Sequence, residues 1–120
     1  MAEHNELGKI GEQKATNFLV KKGFEILKRN YRFKKLELDI IARDKDELVV
    51  VEVKTRQSDY LTDPRELVSK SKQKGIIKAA NAYIHEEEID LECRFDLIIA
   101  VINSKEERLE HIEGAFYPTL

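Results

Sequence analysis

Asp39, Glu52 and Lys54 are the residues whose types and spacing suit the hydrolysis of a phosphodiester. Leu36 to Arg43 and Leu48 to Thr55 each carry aliphatic or β-branched residues at period two, and the polar Asp44-Lys45-Asp46-Glu47 between them has hairpin-loop length, so the two stretches are expected to pair antiparallel. That loop sets Leu38 opposite Val53, Ile40 opposite Val51 and Ala42 opposite Val49, three apolar pairs expected to share one face. On the other face Asp39 meets Glu52 and Glu37 meets Lys54, which gathers three carboxylates and one ammonium in a small patch.

Opposed acids on a sheet have Cβ atoms ~4.5 to 5.5 Å apart and destabilise it unless something compensates. Mg²⁺ (or Mn²⁺) would do so, because hard divalent cations take one or two carboxylates together with water and substrate phosphate. Lys54 then stands beside the ion, placed to orient a bound hydroxide or to neutralise charge building on a phosphate. A Glu-Val-Lys triplet alone commonly marks nothing more than a solvated strand end. The Asp39 to Glu52 spacing, the shared face and the apolar reverse side set this one apart.

Positioning these residues requires an α/β chain. Leu7, Ile10, Ala15, Phe18 and Leu19 recur at helical spacing from Asn5 to Lys22, with Gly23 as the stop. Phe24 to Phe33 reads as a strand of imperfect alternation, and Gln57 to Asp63 as a mobile loop without pattern. Asp63-Pro64 with Glu66 starts a helix expected to reach Ile84, with Ser69, Ser71 and Gly75 allowing a break near its first turns. Glu92 to Ile102 and Arg108 to Glu113 are the last strands, giving the order αβββαββ in one domain, residues 1–120. On its helix Glu12 lies at the edge of the apolar face, able to reach the sheet end or to remain an ordinary boundary glutamate.

Asp39 followed after a hairpin by Glu52-x-Lys54 resembles the PD-(D/E)xK nuclease core. The longer strings Glu37-Leu38-Asp39-Ile40-Ile41-Ala42 and Val51-Glu52-Val53-Lys54-Thr55-Arg56 resemble the YraN family of small bacterial proteins. Gly11-Glu12 with Ala15 and Phe18-Leu19, Asn30-Tyr31-Arg32, Lys72-Gln73 with Ala79-Ala80, Arg94-Phe95-Asp96 and Ala115-Phe116 extend the likeness over nearly the whole chain. Leu38 stands where the superfamily's name has proline, and Leu36 where YraN-like chains often have glycine.

The resemblance implies a restriction-endonuclease-like fold, similar to archaeal Holliday-junction resolvases, with a central mixed five-stranded sheet flanked by helices. It implies that Asp39 and Glu52 hold the metal, that the Val53 carbonyl adds a ligand, that Lys54 serves the attacking water, and that Glu12 reaches in from the first helix. Glu37 would be a further acid. The activity implied is metal-dependent endonuclease cleavage of DNA, with branched or junction DNA as the form the resolvase likeness suggests. The alternatives are a non-catalytic module on the same fold that binds nucleic acid or a partner, and a Mg²⁺-dependent hydrolase of smaller phosphate esters.

The 120 residues, 42% hydrophobic and 37% charged with 5 Gly and 2 Pro, exclude a disordered or collagen-like chain. The net charge of −2 decides nothing about nucleic acid, so the distribution of charge must. Lys21, Lys22, Lys28, Arg29, Arg32, Lys34 and Lys35 lie against Glu25 alone, with Tyr31 and Phe33 interleaved, which points to DNA along this run. Arg32, Lys34, Lys35, Arg56 and Lys72 are the expected phosphate contacts, and Glu86 to Glu92 the acidic pole away from them. Arg94 and Asp96, alternate residues on one strand, read as an internal ion pair, and His4, His85 and His111 as structural or exposed. One cysteine, Cys93, and an N-terminus carrying Glu3 and Glu6 instead of a basic-then-apolar leader lead us to expect a cytoplasmic protein with no membrane contact; a homodimer is left open.

Overall fold

The computed structural model describes residues 2–58 and 64–118. Helix α1 (Ala2–Lys21) leads into β1 (Glu25–Phe33), β2 (Leu36–Asp44) and β3 (Glu47–Arg56). A 3-10 turn at Pro64–Leu67 precedes α2 (Lys70–Glu86), followed by β4 (Glu92–Ile102) and β5 (Glu107–Phe116). The expected order αβββαββ is present, and the sheet is mixed, ordered β1-β2-β3-β4-β5 with only β3 and β4 parallel. A parallel pair needs a crossover, and α2 supplies it.

Each face of the sheet carries one helix. Ala15 and Leu19 of α1 pack on Ile40, Ala42, Val49, Val51 and Ile98. Ile76, Ala79, Ala80 and Tyr83 of α2 pack on Ile41, Leu48, Val50, Leu97 and Ile99. The strands of the middle are therefore apolar on both faces, as a covered sheet requires. Ile10, expected on the buried face of α1, is 46% exposed.

The β2–β3 ladder runs from Asp44↔Glu47 to Ile40↔Val51 and stops, so Ile40 meets Val51 and Ala42 meets Val49 as the hairpin arithmetic requires. Leu38 does not share their face opposite Val53: it lies in the α2 core, while Ile40 lies in the α1 core. The reason is a kink at the level of Asn30 and Asp39. Asn30 has φ 51, a conformation asparagine tolerates, and between Arg29↔Ile40 and Tyr31↔Leu38 both strands change faces.

Other boundaries moved. The helix expected from Asp63-Pro64 is broken, with a 3-10 turn and then α2 capped by Ser69, whose Oγ accepts the Lys72 N–H at 3.1 Å. Residues 59–63, including Asp63, lie outside the described residues. β5 extends to Phe116 by taking a bulge at Gly114, which has φ 60.

Gly11 sets how closely α1 approaches β3, because a Cβ there would stand 2.0 Å from Thr55 Oγ1. Alanine improves a helix interior by ~1 kcal/mol over glycine, but forced overpacking against a strand residue costs typically 1–3 kcal/mol. Gly11→Ala should therefore lower stability in urea unfolding, with Thr55→Ala in the same chain restoring part of the loss. Gly8→Ala, where no atom lies within 4 Å of the added carbon, should raise it by about 0.5–1 kcal/mol. Equal signs at the two positions would show that Gly11 does not set the spacing.

Candidate active site

Past Val51, β3 keeps only β4 as a neighbour, while β2 stays with β1. The fork so formed holds Asp39. Its Oδ2 accepts the Val53 backbone N–H at 2.8 Å, in place of a ladder carbonyl. Asp39 and Glu52 are thus brought together as expected, though across a fork instead of as a laddered cross-strand pair. Burial first, then the Glu52 charge and a hydrogen bond with it, push the Asp39 carboxyl up to about 7, against the opposing pull of the Val53 N–H and Lys72.

Glu52 is buried, with its side chain 6% exposed and facing α2. Two ammoniums approach the same oxygen: Lys54 Nζ lies 3.7 Å and Lys72 Nζ 3.6 Å from Glu52 Oε2. The contact of Lys72 with an acid was missed in the sequence, where the residue read only as a phosphate contact. It depends on where the crossover docks the first turn of α2, and no spacing rule encodes that.

Glu12 does reach the sheet end. Its Oε1 accepts from Asn30 Nδ2 at 2.8 Å and lies 3.8 Å from Arg29 Nη2, while Arg29 Nη1 donates to Gln13 Oε1 at 2.8 Å. Burial raises its carboxyl, partly offset by the Asn30 hydrogen bond and reinforced by the charge of Asp39. Glu12, Asp39, Glu37, Lys54, Arg29 and Arg32 line a cavity of about 880 Å³ between α1 and the fork. Asn30 also lines it; the sequence marked it only within the Asn30-Tyr31-Arg32 string, although an asparagine inside a strand of imperfect alternation is the signal of a kink.

The remaining expected residues are spread. Glu37 pairs across the hairpin with Arg32, its Oε2 4.0 Å from Arg32 Nε. Lys34 and Lys35 form the β1–β2 turn, with Lys34 Nζ 5.3 Å over the Phe33 ring. Arg56 is exposed at the end of β3. Lys22 faces β5, its Nζ 2.8 Å from His111 Nδ1, so the basic run from Lys21 to Lys35 is not one surface. Arg94 and Asp96 form the internal ion pair read from their spacing, with Nε to Oδ1 at 2.9 Å.

Among the described residues no three His, Cys, Asp or Glu side chains converge as a closed metal cage. Asp39 and Glu52 offer hard oxygen donors of the kind Mg²⁺ takes together with water and phosphate, and of the two Asp39 lines the cavity. Burial, with the Glu52 charge second, is what raises the Asp39 carboxyl, and a cation beside it would favour the ionised form.

Comparison with known proteins decides the family. Residues 11–101 match the model described as "Uncharacterised protein family UPF0102". The chain belongs to UPF0102, the YraN family. A UPF0102 protein of Flavobacterium psychrophilum is 48% identical over 98% of both chains. One from Bacteroides thetaiotaomicron is 46% identical over 100% of this chain and 99% of its own, and one from Christiangramia forsetii 44% identical over 98% of each. The UPF0102 match takes in Glu12, Asp39, Glu52, Lys54 and Lys72.

The Asp39 shift has a stability consequence. With a folded pKa of about 7 against an unfolded value of ~3.9, the native state holds the extra proton between these pH values, so stability falls as pH rises through that window. In chelator, Asp39→Asn should escape this loss: its stability relative to wild type should rise by roughly 1–3 kcal/mol from pH 4 to pH 8. Parallel stability–pH curves for the two proteins would remove Asp39 as the proton holder.

Proposed function

We propose that this UPF0102 protein is a metal-dependent nuclease of the PD-(D/E)xK type, cleaving DNA phosphodiesters in the cytoplasm of bacteria. The observation that carries the reading is the fork: a buried carboxyl pair, Asp39 and Glu52, with Lys54 beside it on an open cavity that Glu12 also lines. Asp39, Glu52 and the Val53 carbonyl would hold Mg²⁺ or Mn²⁺, which supplies Lewis-acid activation of water and phosphate. Lys54 orients the attacking water and offsets charge developing on the phosphate. Glu12, fixed by Asn30, takes or relays a proton at the cavity wall.

Arg32, exposed at the cavity rim, and Lys72 at the start of α2 bracket the fork and suit a phosphate backbone passing over it. Lys34, Lys35 and Arg56 extend that track at the same end of the sheet. Branched or junction DNA is the form suggested by the likeness to junction resolvases. The described residues include no helix long and apolar enough to cross a membrane.

Cleavage of junction, flap, duplex and single-stranded DNA with Mn²⁺ is the test. Lys54→Ala should keep metal binding and lose about 10²–10³ in rate, and Glu52→Gln should lose both. Wild type cleaving no faster than Glu52→Gln would leave a binding module. Arg32→Ala should flatten the slope of log K against log salt by ~0.9 on duplex DNA. An unchanged slope there with a flattened one for Lys72→Ala would lay the DNA along α2 alone.

A further inference from the structure

Two ammoniums on one carboxylate oxygen are more cation than catalysis beside a metal requires, and they are held differently. Lys54 is two residues from Glu52 on the same strand, 31% exposed and part of the cavity wall. Lys72 comes from another element, is 47% exposed, and meets Glu52 at 3.6 Å. A long, half-exposed lysine is free to leave such a contact at little cost.

We propose that Lys72 is the resident counter-ion of the site: it neutralises Glu52 while the metal place is empty, competes there with a divalent cation, and passes to the substrate phosphate when the cation is bound. The inference rests on the reading of Asp39 and Glu52 as metal ligands. In the free protein the Lys72 ammonium reduces the negative potential of the acid pair and so weakens its hold on a cation. A phosphate at the fork draws Lys72 away and leaves Glu52 free for the cation. Metal and nucleic acid then favour each other's binding, and linkage requires the effect to be equal in both directions. The position of Lys72 in the first helical turn, its N–H capped by Ser69, fixes the lysine's base while its ammonium exchanges partners.

A lysine that merely ties α2 to β3 makes the opposite forecast, since its loss would loosen the site and weaken the metal. The full chain is titrated with Mn²⁺ alone by calorimetry. Lys72→Gln should bind Mn²⁺ about 3- to 10-fold more tightly than wild type, as expected for removing one unit charge about 6–12 Å from a divalent ion in a largely aqueous dielectric. Lys72→Arg should stay near wild type. Lys74→Gln, exposed on the same helix, should change affinity less than about twofold, which separates a local contact from bulk charge.

Repeating the titration with an uncleavable phosphorothioate oligonucleotide should tighten Mn²⁺ binding more in wild type than in Lys72→Gln. Equal or weaker Mn²⁺ binding by Lys72→Gln, where Asp39→Asn abolishes binding, overturns the counter-ion role and leaves the metal reading standing. Equal oligonucleotide effects overturn the transfer to phosphate. Mn²⁺ binding that Asp39→Asn does not reduce, or none in wild type, overturns the metal reading together with this inference.

Discussion

The Asp39 carboxylate accepting the Val53 N–H is the contact on which the site depends. Where β2 leaves β3, the N–H groups of β3 lose their ladder acceptors, and a buried donor left unpaired costs about 1–3 kcal/mol. Asp39 supplies the acceptor from a side chain. That places one carboxylate oxygen in the plane of the sheet and leaves the other for Glu52 or a cation. The acid is thereby oriented by backbone, more rigidly than a side-chain contact would hold it. It cannot swing away without orphaning the Val53 donor.

The position of Glu12 follows from two anchors on α1. At its midpoint Gly11 lies against Thr55 of β3. Past its end Lys22 Nζ meets His111 Nδ1 at 2.8 Å, which makes that nitrogen the acceptor and leaves Nε2 as the donor to Asp96 Oδ2, at 2.7 Å. Asp96 is fully buried and also accepts from Arg94 and from the Gly114 N–H. Burial alone would raise its carboxyl, yet the hydrogen bonds from His111, Arg94 and Gly114 outweigh it and hold the group ionised, below its ordinary range. The cluster pins the β5 bulge, and through His111 and Lys22 it pins the far end of the helix that carries Glu12.

The sequence made the middle of the sheet legible because Ile40, Ala42, Val49 and Val51 must all be buried, and only one register buries them together. The same reasoning failed at Leu38. Period-two patterning assumes an unbroken strand, and the Asn30–Asp39 kink shifts the face of every residue beyond it. Both strands kink at one level, so the β1–β2 pairing survives and the sequence keeps its apolar residues: Leu38 is as buried on the α2 side as it would have been on the other. What patterning cannot register is a change that conserves burial. Lys72 and Glu12 belong to a different class, since each reaches the fork from a helix whose docking is set by core packing far from the site. The break before α2 was readable only as the cluster of Ser69, Ser71 and Gly75, and Ser69 is the residue that caps the helix.

On the proposed reading the fork must accommodate an anion, and the distribution of charge bears on that. A chain of net charge −2 repels a phosphate backbone on average, and its acids must be kept from the binding face or neutralised there. Glu47, Asp44 and Glu113 are drawn around Arg94 at the opposite end of β3 from the fork. Glu86, hydrogen-bonded with the Tyr31 hydroxyl, and Glu87 line a cavity with Arg32, so the acidic pole is not as far from that arginine as the sequence led us to expect. The acids that stay at the fork are matched by Lys54, Lys72, Arg29 and Arg32. Near neutral pH the raised Asp39 carboxyl removes part of one further negative charge. The fork is therefore close to electrically balanced before any cation arrives, and on the proposed reading a divalent ion makes it net positive at the one place where a phosphate must be held.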